Sequence, residues 1–304
     1  MFANLENGLG LDVVIWLQSM SHPLLDALAW ALNIAGSSTV YIVIVLLVYY
    51  SLDRRIGIRL AMAVIVAGAL TYLGKEALQR PRPFDISDQI MPLFLSGSSG
   101  IPSGHVLGAI VFGGSIAAAV QRRWLTAGVV VYVILMAWAR MYAGVHYPQD
   151  VVIGAFIGSM TLILLLRYGD TLSSQWNRLH PYARASLLVL FGIALAVALA
   201  HDPDGLTTAG ILIGMGPALA LENHFIRFRV DGSVTVRLMR YIIGVVVVLA
   251  VMFGLRMLND SGNPELFRLF RYALTALTAF FIWPWLGMHL GLFTRTTPEP
   301  DQSR

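Results

Sequence analysis

The sequence predicts an all-α fold, a polytopic transmembrane helical bundle, and three observations lead there. Of 304 residues, 57% are apolar and only 12% charged, about half the charged share of a soluble domain. The mean hydropathy is +0.71. Several apolar runs approach the roughly 20 residues that cross a bilayer as a helix, the one open-ended element that satisfies its own backbone there. Cysteine is absent, which excludes disulfides and thiolate metal sites. The net charge of +4 is spread without a basic run or tail, so nucleic acid is not an expected partner.

About ten helices are expected. The first, near 11–32, follows a start without Lys or Arg and is read as retained rather than as a cleaved leader. It is interrupted at His22-Pro23, because proline disfavours a continuous helix. The next two are 38–52 and 56–79. A Gly/Ser/Pro-rich loop at 81–102 follows, in which Asp85 and Asp88 are expected to be solvated. Its apolar stretch 90–95 is read as a short helix packed on the bundle, with a lid or lipid entrance as the functional alternative. Helices at 103–120, 125–141 and 148–166 come next. The polar stretch 169–183 is read as a cytoplasmic linker, and four more helices lie near 184–200, 207–221, 235–257 and 266–292. Residues 281–285, with Trp283 and Trp285, read as an interfacial aromatic belt and a proline kink. The tail 294–304 is polar and expected to be disordered.

Alternating these helices puts fourteen of the 21 basic residues on one side and seven on the other. The richer side is expected to be cytoplasmic, with both termini there. The seven are Lys75, Arg80, Arg82, Arg140, Arg256, Arg268 and Arg271. Four of them cluster at the ends of the third and fifth helices, which binding explains better than topology does.

Three segments on that arginine-poor side carry the chemistry: Lys75 to Pro83, Pro102 to His105, and Arg140 to Asp150. Ser103 is placed as an N-cap, and Gly104 allows a ligand close to the backbone. Free N–H groups at a helix start attract an anion. Pro148 suits the first turn of a helix, which brings Asp150 within reach of His146. A carboxylate beside a histidine fixes its tautomer. Lys75, Arg82 and Arg140 add cations at the same depth, and arginine's fork matches two phosphate oxygens. Two histidines, a carboxylate, three cations and a helix start suit phosphoryl transfer. Arg80 fits no position in this arrangement. His22, His180, His201, His224 and His289 read as interfacial or loop residues.

These segments resemble the three signature motifs of the type 2 phosphatidic acid phosphatase (PAP2, lipid phosphate phosphatase) superfamily. Lys75, Arg82 and Pro83 meet the first, Pro102 to His105 the second, and Arg140, His146 and Asp150 the third. Ala139 stands where the family usually has serine. The resemblance covers 11–166 and implies a six-helix PAP2-like core at 1–168, with about four additional transmembrane helices at 184–293. It implies that His146 attacks phosphorus to give a phosphohistidine, that Asp150 orients it, and that His105 protonates the leaving oxygen and then activates water. Lys75, Arg82, Ser103, Gly104 and Arg140 would hold the phosphate. Neither metal nor cofactor is expected.

The expected activity is hydrolysis of a lipid phosphomonoester or pyrophosphate. Undecaprenyl pyrophosphate, phosphatidate, phosphatidylglycerol phosphate and lipid A are the candidate substrates. A lipid phosphotransferase using the same phosphohistidine is the alternative. A non-catalytic lipid transporter or binding protein is the third reading, and the intact His105, His146 and Asp150 argue against it. The setting expected is a bacterial inner membrane with the site facing the periplasm or exterior. The added helices are read as an appendage through which a homodimer would form.

Overall fold

The computed structural model describes residues 6–95, 97–257 and 263–295, and among them the protein is almost wholly helical. The helices are α1 Gly8–Ser19, α2 Pro23–Ala35, α3 Ser38–Leu52, α4 Arg54–Leu78, the single turn α5 Pro83–Ile86, α6 Gly104–Val120, α7 Arg123–Tyr142, α8 Pro148–Arg178, α9 Pro181–Ala198, α10 Pro203–Ile226, α11 Val234–Met257 and α12 Pro264–His289. Among the described residues seven helical stretches are long and apolar enough to cross a membrane, and α2 and α3, bent by 55°, would together form an eighth. Two shorter apolar helices, α1 and α6, stand beside them. The chain is an integral membrane protein. Val130 and Ile134 of α7 and Phe156 and Ile163 of α8 present their side chains outward, as lipid-facing residues do.

The interruption expected at His22-Pro23 is present and divides the first helix in two, because His22 caps a new one: its Nδ1 accepts from Leu24 N at 3.2 Å and Pro23 takes the first helical position. Several sequence expectations change. The stretch 169–183 is not a loop, since α8 runs to Arg178 and α9 starts at Pro181. Nothing between Gly169 and Pro181 breaks a helix, so the polar residues there mark the end of the apolar layer rather than the end of the helix. Stretch 90–95 is irregular, not helical. Thr294–Arg295 pairs antiparallel with Phe228–Arg229, and the rest of the expected disordered tail lies outside the described residues.

The chain forms two compact units, Met1–Ile42 with Leu60–Ser174, and Val43–Arg59 with Gln175–Arg304. In the first unit α6 is apolar on opposite faces and is buried by both. Val106 and Ala109 pack with Leu17, Leu32, Met136 and Tyr142, while Leu107 and Val111 pack with Ala63 and Ala67. A short helix enclosed in this way carries its N-terminus, Ser103 to His105, into the interior of the unit.

In the second unit α10 takes the central place. A Cβ at Gly214 would lie 2.0 Å from the Ala273 carbonyl oxygen, so only glycine allows α10 and α12 this approach. Polar knots tie the rest. Arg54 pairs with the fully buried Glu222, and Arg240 donates to the carbonyls of Tyr50, Asp231 and Leu292 at 2.8–3.1 Å. Trp283, expected in an aromatic belt, is instead a core residue that donates to the Arg240 carbonyl at 3.2 Å.

Candidate active site

All the motif residues lie in the first unit, in three stretches of chain. Arg82 follows the end of α4 and precedes α5. Its backbone N–H donates to Asp85 Oδ2 at 2.9 Å, which closes the turn while Asp85 itself stays exposed, as expected. Arg82 is 2% exposed. Its Nε donates to Ser98 O at 2.7 Å, Nη2 to Ser99 O at 3.2 Å and Nη1 to Val145 O at 2.6 Å. Lys75, in the last turn of α4, donates to Ser98 Oγ at 2.6 Å. The 97–100 loop thus fixes both cations of the first motif.

His146 lies in the loop between α7 and α8. Its Nδ1 is 3.3 Å from Asp150 Oδ2, which also accepts from Tyr147 N at 3.0 Å. A carboxylate at Nδ1 holds the proton there and leaves the lone pair on Nε2. Nε2 faces Arg82 Nη1 at 3.4 Å. Burial, with the charges of Arg82, Arg140, Lys75 and His105, holds this imidazole well below its ordinary value of 6.5, so it is neutral at physiological pH. Arg82 at 3.4 Å from His146 joins the first motif to the third, and the Ser103 N–H on the Asp150 carbonyl joins the second to the third.

Ser103 occupies the N-cap position but makes no cap hydrogen bond, contrary to expectation. Its backbone N–H donates to the Asp150 carbonyl at 3.0 Å, which ties the second motif to the third. Its Oγ is wholly buried and has no hydrogen-bond partner among the described residues. Arg140, 3% exposed, donates from Nη1 to Asn33 Oδ1 at 2.6 Å and stacks its guanidinium 4.9 Å from the Phe94 ring, while its Nε has no such partner. An unmet buried group costs about 1–3 kcal/mol, and an oxyanion accepting from Ser103 and Arg140 would offset that cost. His105 is half-buried, with Nε2 3.3 Å from Asn33 O. Gly104 is needed for packing: a Cβ there would meet Thr71 Cγ2 at 2.7 Å.

Residues 56–174 match the model of the PAP2 superfamily, and residues 206–295 match that of the PAP2 superfamily phosphatase transmembrane extension.

The chain belongs to the PAP2 superfamily.

It is a membrane-embedded phosphatase of the PAP2 type. Among curated relatives, the undecaprenyl-diphosphatase of Sulfolobus acidocaldarius is 29% identical over 153 residues, covering 48% of this chain and 72% of the relative. The lipid A 4'-phosphatase of Bacteroides thetaiotaomicron is 27% identical over 126 residues, covering 36% of this chain and 56% of the relative. Two solved structures are similar over part of the chain. Aquifex aeolicus LpxE has TM-score 0.47 and 26% identity, covering 53% of this chain and 96% of its own. A PAP2 type phosphatidylglycerolphosphate phosphatase from Bacillus subtilis has TM-score 0.48 and 22% identity, covering 55% of this chain and 88% of its own.

Relative to the PAP2 pattern, Ala139 in place of serine is buried against Leu17, Leu32 and Met136. The motif pattern passes over Asn33, Ser98, Ser99 and Phe94, although each holds a motif residue. Asn33 carried one legible signal, an amide near the end of a helix whose other residues, apart from Asp26, are apolar. The serines sit in a loop too rich in Gly and Ser for any one of them to stand out.

Proposed function

We propose that this PAP2 protein hydrolyses a lipid phosphomonoester or diphosphate through a phosphohistidine on His146. The observation that carries the reading is the disposition of His146, with Asp150 behind Nδ1 at 3.3 Å and the Arg82 guanidinium before Nε2 at 3.4 Å. A neutral nucleophilic nitrogen with a cation at its face is poised toward an anionic electrophile. His146 Nε2 attacks phosphorus as the bond to the lipid oxygen breaks, and protonated His105 gives its proton to that oxygen. His105, now neutral, takes a proton from water. The water oxygen attacks phosphorus, the P–N bond breaks, and free phosphate leaves with His146 restored. Lys75, Arg82, Arg140 and Ser103 carry the oxyanion through both steps.

The relatives act on undecaprenyl diphosphate and lipid A phosphate by name, so polyprenyl diphosphates and lipid A type phosphates are the first substrates to test here. Metal-independent turnover is proposed because no group of three or more His, Asp or Glu side chains among the described residues could hold a metal. The arginine bias supports a site at the extracytoplasmic face, with the termini inside.

The experiment is phosphate release from a lipid panel in detergent with EDTA, comparing wild type with His146→Ala. Release by the wild type alone, without any acceptor alcohol, is the expected result. EDTA-sensitive turnover, or turnover that survives His146→Ala, overturns the reading. Release only when an acceptor is supplied makes the protein a phosphotransferase.

A further inference from the structure

The second unit contains a cavity of about 560 Å³ where α10 and α12 begin, and the chemistry proposed above does not use it. Its walls include His201, Arg256, Glu265, Arg268, Arg271 and Tyr272. Of the four arginines of the arginine-poor side that the signature motifs leave unexplained, Arg80 lies elsewhere and the structure gathers the other three around one space. With one carboxylate among them, the lining is cationic.

Arg271 is 7% exposed, lies with its guanidinium 4.8 Å from the Tyr272 ring, and has an Nε without a hydrogen-bond partner among the described residues. Among the described residues Arg268 makes a long contact, Nη1 to Pro203 O at 3.5 Å. A buried arginine with an unmet donor is costly within a membrane unit and marks a binding site or pathway. The first-turn N–H groups do not supply the site. Asp202 Oδ1 accepts from Asp204 N and Gly205 N, and Asn263 Oδ1 from Leu266 N. The donors left are the guanidinium forks, which match pairs of phosphate oxygens, while the positive ends of two helices reinforce them. The volume lies within the roughly 300–1,000 Å³ of small-molecule sites.

We propose that this cavity is a second anion site that binds a phosphate monoester or diphosphate group, supplied by a lipid headgroup or by free phosphate. The proposal does not depend on the catalytic reading.

The test is hydrogen–deuterium exchange on the full chain, read at peptides from the starts of α10 and α12. Sodium phosphate is titrated in one arm against sodium chloride at equal ionic strength. Nanodiscs containing phosphatidate are compared with pure phosphatidylcholine nanodiscs in the other. The same arms are run on Arg256→Gln/Arg268→Gln, which spares the buried Arg271. Phosphate-specific protection in the first arm assigns a free anion, and protection only by phosphatidate assigns a lipid headgroup. Both support the site if the double variant needs at least tenfold more phosphate, or loses the phosphatidate effect. Absence of protection in both arms, equal protection by chloride, or protection unchanged in the double variant overturns it.

Discussion

In the second unit Arg240 is 1% exposed, and each guanidinium nitrogen donates to a backbone carbonyl. In the first unit Arg140 is 3% exposed, and one nitrogen holds Asn33 while Nε has no hydrogen-bond partner among the described residues. The two are buried alike but differ in what remains to be bonded. Arg240, like the Arg54–Glu222 pair, is complete within the fold and fastens segments together. Arg140 Nε and Ser103 Oγ of the motif set each keep hydrogen-bonding capacity that none of the described residues meets. Satisfaction of donors, rather than burial or charge, is what distinguishes these two arginines.

The sharpest way to break that contrast is to remove Arg54. Arg54→Met strands the buried Glu222 and should lower stability by about 3–5 kcal/mol, measured as unfolding in detergent, with kcat per folded molecule unchanged. Glu222→Leu added to it should recover most of the loss. A fall in kcat without a fall in stability would show that the second unit's ion pair serves chemistry. The converse substitution, Arg140→Gln, should cost about 10²–10³ in kcat/KM with little change in unfolding, and an unfolding loss as large as that for Arg54→Met would erase the distinction.

The pH profile sharpens the same point. His146 must be neutral to attack, and burial and its cationic neighbours hold it below 6.5. The acid limb of kcat/KM, which reports the free enzyme, should therefore lie below pH 6.5. Arg140→Gln removes one of the charges that lower it, so the limb should move to higher pH. A limb unmoved in that variant would mean that Arg140 does not act on the ring. The smallest effect expected is for Asn33→Ala, which frees Arg140 without removing it. A loss of about tenfold in kcat/KM follows from one misplaced charged hydrogen bond of roughly 1.5 kcal/mol, and an unchanged kcat/KM would make Asn33 a bystander.

The sequence showed the helical membrane fold and the motif positions because both are local. Apolar runs set the helices, and Pro83, Pro102 and Pro148 punctuate their ends beside the polar residues. It did not show that Ser103 leaves its hydroxyl uncapped, that Gly104 serves a contact with Thr71, or that Ser98 links Lys75 to Arg82. Those facts depend on which distant segment arrives at the site, and a single chain read in order carries no measure of that. The length of α8 was misjudged for a different reason, since polarity was taken for the end of a helix that nothing terminates before Arg178.

The most direct test is a single-turnover reaction with a phosphorus-labelled lipid substrate, quenched in alkali, where a phosphohistidine survives, and followed by peptide mapping. Label on the peptide that contains His146, absent in His146→Ala, is the expected result. A wild-type enzyme that turns over with no label at His146, or with label on another residue, would contradict a covalent step at this imidazole.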